Sequence, residues 1–170
     1  DRNNQQSLAW TTSWGSSTRM IGGLIMTHSD DDGLILPPRI APVAVALVPI
    51  FANDQELSQT LEFAEKIKQR LAEHLDHLRI QIDDRDNLRP GDKFFHWIQQ
   101  GVPVRVEIGP RDVQNASTML VRRDDGSKQS VSLQDLENEI SSIMEDISIN
   151  LKKRADKTLE NKGASFTHLQ

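Results

Sequence analysis

Apolar positions along this chain switch between a period of two and a period near 3.6, which predicts strands and helices in alternation. Val43 to Ile50 is almost continuously apolar and rich in β-branched residues, the pattern of a central strand buried on both faces. Asn53, with Glu56 three residues on, marks a helix start. Leu57, Leu61, Ala64, Ile67, Leu71 and Leu75 follow at helical spacing and define one buried face. His74 and His77 fall near its end, as C-terminal surface groups. Ile80 and Ile82 alternate with polar neighbours and predict a second strand, with Asp83 to Asn87 as the loop after it. Pro90 suits the first turn of a further helix, which carries Phe94, Phe95, Trp97 and Ile98 and ends at Gly101.

Val102, Val104, Val106 and Ile108 then fall on alternate positions and share one face of a strand. Arg105 and Glu107 take the opposite face, which in a plain sheet is solvated. Gly109-Pro110 stops the strand. Arg111 and Asp112 lie just past its carboxyl end, where open α/β sheets bind ligands. Thr118 to Arg123 and Lys128 to Val131 flank Asp124-Asp125-Gly126-Ser127 and read as a hairpin. Ser132 with Asp135 opens a last helix with Leu133, Leu136, Ile140, Ile143, Ile147 and Leu151 on its apolar face, and Lys152 to Gln170 is expected to be polar and disordered. This order predicts an α/β domain with a mixed β-sheet flanked by helices.

The first forty residues read differently. Asp1 to Ala9 is expected to be frayed, and Trp10 to Trp14 has the composition of a short strand. Arg19 falls in the first turn of a helix whose face, Met20, Ile21, Leu24 and Ile25, runs to about Thr27. His28 to Gly33 reads as a solvated turn, without the ligand spacing of a calcium loop. Leu34 to Pro42 holds three prolines and is expected to be an extended linker between two domains.

Length and charge narrow the reading only a little. A chain of 170 residues accommodates one domain, or one domain and part of another, and its opening on Asp1 suggests a fragment of something longer. The absence of Cys excludes disulfides and Cys-based zinc or nucleophile sites within this stretch. The longest apolar run, Ile40 to Phe51, is too short to span a bilayer. The net charge of -5 is uneven: Arg79 to Lys128 holds nine Lys/Arg against eight Asp/Glu, leaving eleven against seventeen elsewhere. A near-neutral centre can still bind RNA if its basic groups converge on one face.

Catalytic chemistry is suggested by Ser13-Trp14-Gly15-Ser16-Ser17-Thr18-Arg19. Small residues leading into a helix that begins with arginine can cradle a nucleotide, with backbone N–H groups on phosphate and the guanidinium forking onto its oxygens. An arginine in a first helical turn is otherwise a surface charge.

Thr12 to Gly22, together with Met26 to Arg39, resembles prolyl-tRNA synthetase of the archaeal/eukaryotic type, at the third class II signature motif and the link into the anticodon-binding domain. Arg89-Pro90-Gly91-Asp92-Lys93-Phe94-Phe95-His96-Trp97 and Gly101 to Asp112 are similar to the anticodon domain of the same family. The resemblance covers about residues 10 to 154 and implies three parts. Residues 1–38 would close an α+β antiparallel-sheet catalytic domain, 39–131 would form the anticodon-binding core, and 132–170 would supply a C-terminal helix and the start of a truncated further domain.

It implies roles as well. Arg19 would grip the ATP γ-phosphate, Ser17 and Thr18 would stand beside the nucleotide, and Ser13, Trp14 and Gly15 would line the proline and adenylate pocket. Lys93, Arg105, Glu107, Arg111 and Asp112 would surround the anticodon-reading surface. The parent would be a cytoplasmic, homodimeric ligase that uses ATP with Mg2+, L-proline and tRNA(Pro), with no membrane or DNA partner and with zinc in a missing C-terminal domain. The fragment alone would be inactive. Thr11 stands where an amide side chain is usual, and Asp92 where an aromatic is usual. The alternatives are a non-catalytic RNA- or protein-binding module with the same fold, and a sister ligase for threonine, histidine or glycine.

Overall fold

The computed structural model describes residues 6, 8, 10–75 and 77–162. The expectation for Asp1 to Ala9 lies mostly outside them, as does that for residues 163–170. The chain forms α1 (Arg19–His28), β1 (Ser29–Asp30), β2 (Gly33–Leu34), β3 (Val45–Pro49), α2 (Asp54–His74), β4 (Ile80–Ile82) and α3 (Pro90–Gln99). It continues through β5 (Val104–Ile108), α4 (Pro110–Asn115), β6 (Ser117–Arg122), β7 (Lys128–Ser132) and α5 (Leu136–Lys162). Five strands make one sheet in the order β4-β3-β5-β6-β7. β3 is parallel to β4 and β5, and β6 and β7 add on antiparallel.

Handedness explains the layers. The β3–α2–β4 crossover steps one way along the sheet, and the β4–α3–β5 crossover steps back past β3. Right-handed crossovers in opposite directions place their helices on opposite faces. Accordingly α2 and α5 bury Ala64, Ile67, Leu71, Ile140, Ile143 and Ile147 against Val45, Leu47, Val104, Val106 and Ile108. On the other face Trp97 of α3 packs with Ala46, Val48 and Val102. β3 is buried along its whole length, as its unbroken apolar run requires.

Local signals hold at most of the helix ends. Asn53 accepts from the Glu56 N–H (2.9 Å) and Glu56 accepts from the Ala52 N–H (2.8 Å), closing the start of α2. Pro90 is the first residue of α3, and Gly101 follows that helix at φ 71.

Five expectations fail in whole or in part. Trp10 to Trp14 is irregular rather than a strand, and Trp10 and Trp14 are exposed; among the described residues no strand pairs with it. Leu34 to Pro42 is not a free linker: Ile35, Leu36 and Ala41 are buried, and Leu36 N–H donates to the Gly101 carbonyl (3.1 Å). His28 to Gly33 does turn at the exposed Asp31-Asp32, as expected, but its arms pair as the hairpin β1–β2, which the expectation of a wholly solvated turn missed. Lys152 to Lys162 continues α5 instead of fraying. Arg105 and Glu107 are buried, not solvated. A further helix, α4, was unforeseen; it begins at Pro110, with the Asp112 carboxylate accepting from the Gly109 N–H (2.8 Å).

Candidate nucleic-acid interface

The register places Ala46, Arg105, Val121 and Lys128 in one row across β3, β5, β6 and β7, and Val48, Glu107, Met119 and Ser130 in the next. Strand alternation turns all eight toward the face that carries α3. That helix covers the β3 side. Its Phe94 ring lies 4.5 Å from the Arg105 guanidinium carbon, close enough for a cation–π contact. The β6–β7 side of this face is open, and Lys128 and Ser130 are exposed on it.

Arg105 donates twice to one Glu107 oxygen, from Nε (3.2 Å) and Nη2 (2.9 Å), and Lys128 Nζ stands 3.7 Å from the same oxygen. Two cations share this one carboxylate, and Arg105 and Lys128 line a cleft with Arg122, Arg123, Asp30, Asp32, Asp124 and Asp125, where both signs of charge are present. Lys128 escaped the sequence reading because its pairing with this row depends on hairpin register, which no local pattern reveals.

Lys93 lies elsewhere, in the crevice past the carboxyl ends of β3 and β4. The connections from those two strands leave to opposite faces there, the usual ligand crevice of an open α/β sheet. In this chain Lys93 itself fills it. The residue is 1% exposed, its Nζ donates to the Asp83 carbonyl (3.2 Å), and it sits 5.1 Å from the Phe51 ring centre. Burial pushes the ammonium below the usual lysine value, and the Asp83 carboxylate partly opposes this.

Asp83 organises this corner, although it reads in sequence as the start of a polar loop. Its oxygens accept from Arg85 Nε (2.7 Å) and Nη2 (2.6 Å), and from Trp97 Nε1 (2.8 Å). Burial alone would raise its carboxyl, but the Arg85 and Trp97 hydrogen bonds hold it below the ordinary range. Arg111 is exposed in the first turn of α4, and Asp112 is engaged in capping that helix. The five anticodon candidates therefore divide. Arg105 and Glu107 pair on the sheet face, Lys93 plugs the crevice, and Arg111 and Asp112 open α4.

Ser13, Trp14, Gly15, Ser17 and Thr18 are exposed and irregular, and Arg19 begins α1. Gly15, Ser17 and Arg19 line an open cleft of about 670 Å³ with Met20, Leu24 and Ile40. Its single cation and its hydroxyls suit phosphate. It offers no carboxylate, and among the described residues no group of His, Asp and Glu is placed to hold a metal ion. No helix among the described residues is long and apolar enough to cross a membrane.

The chain is a β–α–β–α–β unit extended by an antiparallel strand pair, with Arg105 and Lys128 on its half-open face. Residues 44–143 match the anticodon binding domain family, and the chain belongs to that family. The relatives narrow the kind. Over 158 residues, 91% of this chain and 32% of that protein, it is 49% identical to the proline–tRNA ligase of Roseiflexus sp. (strain RS-1). It is 42% identical over 171 residues to the proline–tRNA ligase of Bdellovibrio bacteriovorus, covering 98% of this chain and 34% of that one. The chain is thus homologous to proline–tRNA ligases over most of its length, and it spans about a third of the length of these relatives.

Proposed function

We propose that this chain is the C-terminal part of a cytoplasmic proline–tRNA ligase of the archaeal/eukaryotic type. In this reading, residues 1–38 carry the end of the catalytic domain, 39–131 the anticodon-binding core and 132–170 the entry to a further domain. The observation that carries it is the extent of the likeness. A match over 98% of the chain leaves too few residues outside it to omit the segment Ser13 to Arg19. A module that only bound RNA would have no use for a nucleotide-gripping arginine.

The parent would activate L-proline with ATP and pass the prolyl group to tRNA(Pro). The carboxylate of proline attacks the α-phosphate and displaces pyrophosphate, so the site has to align and neutralise charge rather than supply a base. Arg19 would hold the γ-phosphate, beside the hydroxyls of Ser17 and Thr18. Ser13, Trp14 and Gly15 would close the proline and adenylate side once the rest of the catalytic domain covers them. Mg2+ and zinc would find their ligands in parts of a parent dimer beyond the described residues.

The anticodon surface would be the half-open sheet face with the start of α4. Arg105 and Arg111 suit the O6/N7 edge of guanine, while Glu107 and Asp112 suit its N1 and N2 groups. Lys93 would act from inside the crevice, by holding the Asp83 loop and Phe51 in place.

The test is to titrate the chain with a proline-tRNA anticodon stem-loop and with the same hairpin lacking both anticodon guanines. Loss of about 1–3 kcal/mol per replaced base is expected. Equal affinity for both hairpins, with a steep salt dependence alone, would show phosphate contacts only and refute base reading.

A further inference from the structure

Helix α1, which begins with Arg19, buries none of its own residues. Two things tie it to the domain: a contact with α5, and the hairpin that follows it directly. Both carboxylate oxygens of Asp30 accept from Arg123, from Nη1 (2.8 Å) and Nη2 (2.6 Å). Arg123 Nε also donates to the Ile98 carbonyl at the end of α3 (3.2 Å). One guanidinium therefore joins α3, the residue following β6, and the strand that continues α1. Its side chain is 8% exposed, so the pair is well shielded on the arginine side.

Two glycines bring the hairpin flush with α3. A Cβ at Gly33 would stand 2.7 Å from the Gln99 Cα, and one at Gly101 would stand 2.6 Å from the Leu34 Cβ. Both have positive φ, 144° and 71°. Neither position accepts a side chain without moving backbone.

We propose that Asp30 and Arg123 are positioning residues for Arg19: their clasp sets the direction in which α1 leaves the anticodon domain, and so couples the nucleotide-gripping arginine to the body that reads the tRNA. The proposal rests on the ligase reading above. The lever is long. A helix of 10 residues rises roughly 15 Å at 1.5 Å per residue, so tilting it by about 10° at its base displaces Arg19 by roughly 2.6 Å. A misplacement of about 1 Å can cost on the order of a hundredfold in rate.

Because the chain has no Cys, two introduced cysteines, Met26→Cys on α1 and Gln114→Cys on α4, can be spin-labelled alone. The distance distribution between them is expected to be single and narrow in the otherwise unchanged chain, and at least twice as broad with Arg123→Met or Asp30→Asn. Equal widths would overturn the proposal. In the full-length ligase, Asp30→Asn is expected to lower proline-dependent pyrophosphate exchange at least tenfold at low ATP while leaving stem-loop affinity within twofold. The swap Asp30→Arg with Arg123→Asp should recover part of the loss. Exchange within twofold of the unsubstituted enzyme would overturn the clasp alone. An unsubstituted full-length protein without proline-dependent exchange would overturn the ligase reading and the proposal with it. If Arg123→Met fails to fold, the milder Asp30→Asn carries both measurements.

Discussion

Substituting Glu107 separates a reading role for the Arg105–Glu107 pair from a purely structural one. The two side chains are 9% and 11% exposed, and Glu107 is the acceptor of both side-chain hydrogen bonds found for Arg105 among the described residues. Replacing Glu107 by Met leaves a buried guanidinium without its two hydrogen bonds, with the Phe94 ring beside it. Breaking a buried ion pair from one side costs about 3–5 kcal/mol. Arg105→Met should cost less, about 1–2 kcal/mol, because Lys128 is already 3.7 Å from Glu107 and can move onto it. Replacing both by Met should be nearly neutral, within about 1 kcal/mol, since apolar side chains of similar volume need no partner. The cycle predicts a coupling of at least about 2 kcal/mol.

Urea unfolding followed by far-ultraviolet circular dichroism measures all four proteins. That probe avoids the fluorescence of Trp10 and Trp14, which are exposed and report little on the core. The folded double variant then goes to the stem-loop titration, where a reading role costs about 1–3 kcal/mol and a structural one costs nothing. A Glu107→Met protein as stable as the parent, or a coupling below about 0.5 kcal/mol, would refute the claim that burial makes this pair interdependent.

Asp83→Asn should destabilise by about 1–3 kcal/mol, since Arg85 loses its carboxylate and the buried Trp97 N–H keeps only a weaker acceptor. Because the folded-state value of Asp83 is depressed, its contribution is complete above about pH 3.8 and is lost as pH falls below it. The difference between Asp83→Asn and the parent should therefore shrink in acid, and a gap that stays constant down to pH 2 would contradict this. Lys93→Met should change stability at pH 7 by under about 1 kcal/mol. Burial lowers the folded-state value of Lys93, so the parent should gain on this variant as pH rises toward 10.5, as paired urea titrations would show. Gly101→Ala should cost more than about 2 kcal/mol, from the left-handed φ and the approach to Leu34 together, visible as a fall in Tm. Ala116→Gly should stabilise by about 1 kcal/mol, because Ala116 sits at φ 48 in the left-handed region, and an unchanged Tm would count against strain there.

Elements set by local pattern were legible before any coordinates. The unbroken run at Val45–Pro49 means burial on both faces wherever the strand sits, and Asn53 and Glu56 close their helix start through atoms three residues apart. The family resemblance, too, is a property of the linear sequence, borne by the Ser-Trp-Gly and Gly-Pro-Arg-Asp segments. Pairings between distant residues were not legible. Asp30 meets Arg123 across 93 positions, and Lys128 joins Glu107 only through the register of β5, β6 and β7. The alternation of Arg105 and Glu107 with valines was read correctly as two faces. Whether the polar face met water depended on α3 crossing over it, which follows from the handedness of a crossover. The sequence alone determined the main strands and helices of the five-stranded unit and which side of each is apolar, because those properties arise within a few residues, whereas Trp10 to Trp14 and α4 were not fixed by local pattern. The tertiary structure decided which charges are buried and paired, because desolvation depends on what the fold lays on top.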